Sequence, residues 1–213
     1  MLKLINLHAS YGKIHVLKGI NLEVNKGEFV TLIGSKGVGK TTTCKTIMGL
    51  LRPDYGSIQF LSHEIAGLRP DKIVNQGIAF VSKGKKIFPF MSVVENLHVG
   101  AYSSKEKEEI NWGFERVYKF FPQLFDCRRQ LARSLSEDQK QMLAIGRVVM
   151  TQPKMLILDD PSITFTPTIV EPVFKFLSEI HKQGMTILLF EENQQMALKI
   201  ADRVYVMKAG RIV

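Results

Sequence analysis

The chain has 213 residues, 45% hydrophobic and 23% charged, with a formal net charge of +9. No apolar run approaches the roughly 20 residues needed to span a bilayer, and the balance is that of one α/β domain with a substantial core. Cys44 and Cys127 lie far apart without metal-ligand spacing, which suits buried thiols in a reducing cytosol better than a disulfide framework.

The chain starts on a strand-like run, Leu2 to Leu7, with no signal peptide ahead of it. Further strands are expected at Ile20 to Val24 and Phe29 to Ile33, with Gly12 and Asn25-Lys26-Gly27 as turns. Next comes Gly34-Ser35-Lys36-Gly37-Val38-Gly39-Lys40-Thr41, which fits the phosphate-loop pattern G-x-x-x-x-G-K-[ST] in full. It stands between an apolar strand and a helix-like stretch, Thr42 to Leu51, as the pattern requires. Glycines let backbone N–H groups curl around phosphate oxygens, and the helix N-terminus adds partial positive charge. Gly34 to Thr42 is therefore the expected nucleoside-triphosphate cradle, with Lys40 on the outer phosphates and the Thr41 hydroxyl on Mg²⁺.

Arg52 to Gly56 breaks the chain, and strands resume at Ser57 to Leu61 and Ile78 to Val81. From about Ser92 to Gln152 the pattern turns helical and reads as an inserted lobe. Ile110, Phe114, Val117, Tyr118 and Phe121 form an amphipathic stripe, serving either core packing or the docking of a partner. After Pro153 strand and helix alternate: Met155 to Leu158, Ile169 to His181, Met185 to Phe190, Gln194 to Ala201 and Val204 to Met207. That alternation predicts a mostly parallel sheet covered on both faces.

The strand at Met155 ends in Asp159-Asp160-Pro161-Ser162. A phosphate-loop enzyme needs one carboxylate at such a strand end to organise Mg²⁺, and a neighbour to polarise the attacking water. Asp159 fits the first role and Asp160 the second. The basic residues, by contrast, are scattered without interleaved aromatics, so a solvated face is expected and nucleic acid is not.

Taken together, these residues resemble the nucleotide-binding subunits of ABC transporters. Tyr11-Gly12 is similar to the family's adenine-stacking segment, and Leu135-Ser136 with Gln141 to Arg147 is similar to its signature motif and helix. Thr31 to Gly34, Gly84 to Pro89, Glu95 to Leu97 and Ala201 to Arg203 resemble the branched-chain amino acid importer ATPases, as does Gly210 to Val213. The resemblance runs over essentially the whole chain. It implies a mostly parallel phosphate-loop core with an antiparallel β subdomain (residues 1–91 and 153–213) and a helical lobe (92–152). It also implies ATP and Mg²⁺ as ligands. Two subunits, as a homodimer or heterodimer, would sandwich two nucleotides and drive membrane permease subunits docked on the helical lobe. The chain would then be cytoplasmic, held on the inner face of the membrane through those partners. Relatives usually continue with another C-terminal segment beyond the position of Val213, so a truncated or trimmed version is expected.

Several positions depart from the family pattern. Where the signature reads Leu-Ser-Gly-Gly and meets the γ-phosphate held by the opposite protomer, Ser136 is followed by Glu137 and Asp138. Each like-charge contact near 4 Å costs about 1–4 kcal/mol, depending on the effective dielectric. Ser136-x-x-Gln139 is at the same time a capping box, and acids in a first turn suit the helix dipole. Asp160 stands where most relatives carry Glu, one methylene short of the attacking water. Lys83 occupies the place of a Gln or Glu near Mg²⁺; it cannot ligate a metal while protonated, but it can neutralise phosphate. Glu192 takes the switch position, where an ionised carboxylate cannot donate to a γ-phosphate. Thr164 stiffens the loop Ser162 to Pro167, which in the family pairs across the dimer. The expectation is Mg-ATP binding with weak hydrolysis; the alternative is a nucleotide-binding module without turnover.

Overall fold

The computed structural model describes residues 1–83, 87–102, 106–161 and 167–213, the side chains of 167–169 and 196 excepted. Gly84-Lys85-Lys86 and the loop around Thr164 therefore lie outside the described residues. The chain opens with the hairpin β1 (Leu2–Tyr11) and β2 (Ile14–Val24), closed by Gly12-Lys13 with Gly12 at φ 58°. β2 starts at Ile14 rather than at the expected Ile20. Asn6 (φ 45°) and Gly19 (φ 81°) shift the register within the hairpin, and those irregularities hide the strand's period-two pattern.

β3 (Phe29–Ile33) follows and is buried throughout; it leads through the glycine loop into α1 (Lys40–Ile47). α1 begins and ends earlier than the expected Thr42 to Leu51. β4 (Tyr55–Phe60) and β5 (His63–Glu64) complete an antiparallel sheet of order β2-β1-β4-β5. The short α2 (Pro70–Asn75) precedes β6 (Ile78–Val81).

Between β6 and the next strand the chain is helical, but in pieces. These are α3 (Val93–Gly100), α4 (Lys107–Phe120), α5 (Pro122–Asp126), a 3₁₀ turn (Ala132–Ser134) and α6 (Glu137–Val149). The aromatic stripe packs inward: Val117 and Phe121 are fully buried, and Ile110, Phe114 and Tyr118 lie half-buried against the same core. Then come β7 (Met155–Asp159), α7 (Pro167–Lys182), β8 (Thr186–Glu191), α8 (Gln194–Ile200), β9 (Arg203–Lys208) and β10 (Arg211–Ile212).

The second sheet has the order β10-β9-β3-β8-β7-β6, parallel except at the β9–β10 edge. Its central strands send alternate side chains into two cores. Phe29, Leu156, Leu158, Ile187 and Leu189 join α3, α4, α6 and α7. Val30, Leu32, Ile157, Leu188 and Phe190 join α1 and the antiparallel sheet. Burial on both faces is why these strands read as unbroken apolar runs. Cys44 and Cys127 are buried free thiols. Among the described residues no helix is long and apolar enough to cross a membrane.

Sheet order also fixes where chemistry can occur. β8 pairs Glu191 with Ile33 of β3, and Phe190 with Asp159 of β7. The ends of three neighbouring strands thus share one rim, and β6 delivers Lys83 to it two residues past Val81. Ligands of open α/β sheets bind at such carboxyl-end crevices.

Candidate nucleotide site

The loop leaving β3 is shaped by glycines that nothing larger could replace. A Cβ on Gly34 would lie 2.6 Å from the Met207 carbonyl oxygen, and Gly39 takes φ 120° at the N-cap of α1. No side chain caps α1 and no acid stands in its first turn, so its N-terminal N–H groups and positive dipole end remain available to an anion.

Lys40 is the first residue of α1 and is 4% exposed. Its Nζ donates to the carbonyls of Gly34 (2.7 Å) and Ser35 (3.3 Å) and lies 3.5 Å from Asp160 Oδ2. The Thr41 hydroxyl donates to Asp159 Oδ1 at 3.0 Å, tying the start of α1 to the end of β7. Asp159 and Asp160 are both buried. Burial first of all raises the Asp159 carboxyl above its ordinary value; the Thr41 hydroxyl opposes this, and the Asp160 charge adds to it. Asp160 is also raised by burial, against the pull of Lys40 and Lys83.

Asp160 holds φ 45°, uncommon for a non-glycine residue, while its N–H donates to Phe190 O on β8 (2.9 Å). One face of its carboxylate meets cations: Lys83 Nζ is 3.8 Å from Oδ2, the same oxygen that Lys40 approaches. The other oxygen, Oδ1, is buried without a hydrogen-bond partner among the described residues. A buried acceptor of this kind suits a water or a cation-bound water.

Glu192 turns to the phosphate loop, where its Oε1 accepts from the Lys36 N–H at 2.9 Å. Its neighbour Glu191, buried at the end of β8, holds that turn in place. Glu191 Oε1 accepts from the N–H groups of Glu192 (2.8 Å) and Asn193 (2.9 Å). Sequence reading missed this positioning role, although an acid followed two residues later by Asn at a strand end is a recognisable turn signal.

Two expected residues stand apart from this cluster. Tyr11 ends β1, is 43% exposed, and carries Lys45 Nζ of α1 at 5.8 Å from its ring centroid. Ser136 caps α6: its hydroxyl accepts from Gln139 N (3.2 Å) while Gln139 Oε1 accepts from Ser136 N (3.0 Å). Among the described residues no hydrogen bond joins Ser136 to the phosphate loop. The rim thus brings together Lys36, Lys40, Thr41, Lys83, Asp159, Asp160 and Glu192, drawn from four strand ends and one helix.

A phosphate loop on β3, an acid pair on β7 and a helical segment between β6 and β7 define a nucleotide-binding cassette, and comparison with known proteins agrees. The ABC transporter family matches residues 17–163, and the chain belongs to that family as an ATP-binding subunit. It is 39% identical over 213 residues to the high-affinity branched-chain amino acid transport ATP-binding protein BraG of Pseudomonas aeruginosa, covering 100% of this chain and 91% of that protein. The probable branched-chain amino acid transport ATP-binding protein LivF of Archaeoglobus fulgidus is 31% identical, over 100% of this chain and 90% of its own length. Among solved structures, the ADP conformation of MJ1267, an ATP-binding cassette of an ABC transporter, superposes with a TM-score of 0.88 at 29% identity, covering 100% of this chain and 89% of that one.

Proposed function

We propose that the chain is the motor subunit of an importer for branched-chain amino acids, which binds Mg-ATP and hydrolyses it slowly. The observation that carries this reading is the joined pair Thr41–Asp159 beside a buried Lys40 at an uncapped helix N-terminus. In this reading the N–H groups of Gly34, Ser35, Lys36, Gly37, Val38, Gly39, Lys40, Thr41 and Thr42 line the phosphate cradle, Lys40 neutralises the outer phosphates, and Tyr11 stacks on adenine.

The donors also fit Mg²⁺. A hydroxyl and carboxylates are hard oxygen ligands, and the buried, unpartnered Asp160 Oδ1 is an acceptor for a cation's water. Thr41 and Asp159 would hold the ion, which when bound neutralises charge on the transferred phosphoryl group. Asp160 orients the attacking water and accepts its proton. Its side chain is one methylene shorter than the Glu of most relatives and so stands short of that water, which weakens it as a base, while Lys40 and Lys83 oppose the rise in its pKa that burial gives. Lys83 and Glu192 set the charge around that step.

Assembly follows the same reading. Two subunits face one another with Ser136 and the start of α6 turned to the partner's nucleotide. A cleft of about 520 Å³ lies between α2 and β6 on one side and α3 and α6 on the other, with Leu50, Val74, Phe80 and Tyr102 along it. Its exposed apolar residues support docking of a membrane subunit there.

The test is steady-state phosphate release with Mg-ATP at high protein concentration, beside a Lys40→Ala control. Turnover above the control is expected. Activity equal to the control, in protein shown to bind ATP, would instead leave a binding module without hydrolysis.

A further inference from the structure

A second cavity lies well away from the phosphate loop. It has a volume of about 170 Å³ and is walled by Trp112 and Arg116 of α4, Val149 of α6, Leu156 of β7, Ile180 of α7, and Met185. Its walls are apolar apart from the Arg116 cation and Gln152, whose side-chain amide is engaged in donating to the Glu109 carbonyl. The Arg116 guanidinium stacks over the Trp112 ring, 4.7 Å from its centroid, and donates through one terminal nitrogen to Gln183. Its Nε is buried and has no hydrogen-bond partner, and no carboxylate pairs with Arg116 among the described residues.

That combination is chemically unfinished. A half-buried guanidinium normally meets an anion, and its planar fork takes a carboxylate with two parallel hydrogen bonds. Trp112 already fixes the plane of the fork, so little further ordering is needed when an anion arrives. The apolar walls exclude a phosphate or sulfate, which would have to shed its hydration against Val149, Leu156 and Ile180. They suit a hydrocarbon body instead, and an apolar cavity of about 150 Å³ is large enough for benzene.

We infer that this cavity binds a small monocarboxylate with a compact apolar body, of about the size of benzoate or a branched aliphatic acid. Arg116 receives the carboxylate at the mouth, and Val149, Leu156, Ile180 and Met185 receive the hydrocarbon. The site joins the helical segment to the strand core, because α4 and α6 form one wall and β7 and α7 the other. A bound acid would therefore touch Leu156, on the strand that ends at Asp159.

The chain supplies its own probe, since Trp112 is its single tryptophan and lines the cavity. Fluorescence and calorimetric titrations would compare benzoate and isocaproate with their uncharged primary amides. Each carboxylate is expected to bind about tenfold or more tighter than its amide, the difference one charge-assisted contact gives. Arg116→Gln should erase that preference. Met185→Phe, which fills the cavity and leaves the guanidinium in place, should remove binding of acids and amides alike. Circular dichroism on each variant establishes that it is folded. Equal binding of acid and amide, a preference that survives Arg116→Gln, or no binding of either carboxylate would each overturn the assignment.

Discussion

Two helix N-termini in this chain carry opposite chemistry. α1 starts after Gly39 with no side-chain cap and no acid in its first turn. α6 starts after Ser136 with a complete capping box and with Glu137 and Asp138 in its first turn. Both helices leave backbone donors unsatisfied at their starts. α1 leaves them for an external anion, whereas α6 spends them on its own side chains and adds two negative charges. An uncapped terminus tends to be less stable and more receptive; a capped one reverses both properties.

The strongest way to break the contrast is at α1. Lys40→Ala removes the buried cation beside the uncapped terminus, together with its bonds to the loop carbonyls. ATP affinity should fall about ten- to a hundredfold, the loss expected for hydrogen bonds to a charged group, and phosphate release should drop to background. Fluorescent-nucleotide titration measures the first effect. An unchanged affinity would mean that α1 is not the anion-binding terminus.

At α6 the contrast can be sharpened instead. Replacing Glu137 and Asp138 together by Gly removes both charges from the first turn. If the dimer forms as proposed, ATP-dependent association should strengthen about tenfold or more, because each like-charge contact removed is worth about 1–4 kcal/mol. Glycines in the first turn also weaken the helix, by up to about 1 kcal/mol each, and remove charges that suit its dipole, so thermal stability should fall in the same protein. Sedimentation with and without ATP decides it: association that stays at the parent level removes the charge argument.

The same contrast explains what could be read from sequence. The phosphate loop, the acid pair and the Ser136–Gln139 capping box are local patterns whose chemistry fits within a few residues. Lys83 reaches Asp160 only because β6 pairs with β7, and Glu192 reaches Lys36 only because β8 lies next to β3. Those meetings depend on strand order, which local spacing does not encode. The hairpin is half hidden in the sequence because Asn6 and Gly19 interrupt its alternation, and the role of Glu191 shows only in its bonds to the Glu192 and Asn193 N–H groups. The cavity at Arg116 joins four elements far apart in the chain and leaves no local signature.

A smaller effect tests whether Ser136 is a cap in the isolated chain. Ser136→Ala removes the acceptor for Gln139 N and should cost about 1 kcal/mol, a fall in Tm of about 2–4 °C for a chain of this size. ATP affinity of the monomer should not change. A monomer that loses affinity would place Ser136 within its own nucleotide site.

The smallest effect is expected at Asp159, and it depends on pH. Burial and the neighbouring Asp160 raise its folded-state pKa above the unfolded value, despite the Thr41 hydrogen bond. The folded protein therefore holds this proton more tightly than the unfolded chain does. Stability from this group is present at low pH and is lost as pH rises through the raised value. Asp159→Asn keeps an oxygen acceptor for Thr41 but has no charge to bury. Without nucleotide or Mg²⁺, the variant should melt slightly above the parent at neutral pH, by less than Ser136→Ala melts below it. The two should converge as pH falls below the ordinary carboxylate range, where Asp159 is protonated as well. With Mg-ATP present, and with Asp159 holding Mg²⁺ as proposed, the order should invert, because the variant lacks that carboxylate ligand and only the parent gains the metal-dependent rise in Tm. An advantage that persists at acid pH would show that packing, not charge, governs the position.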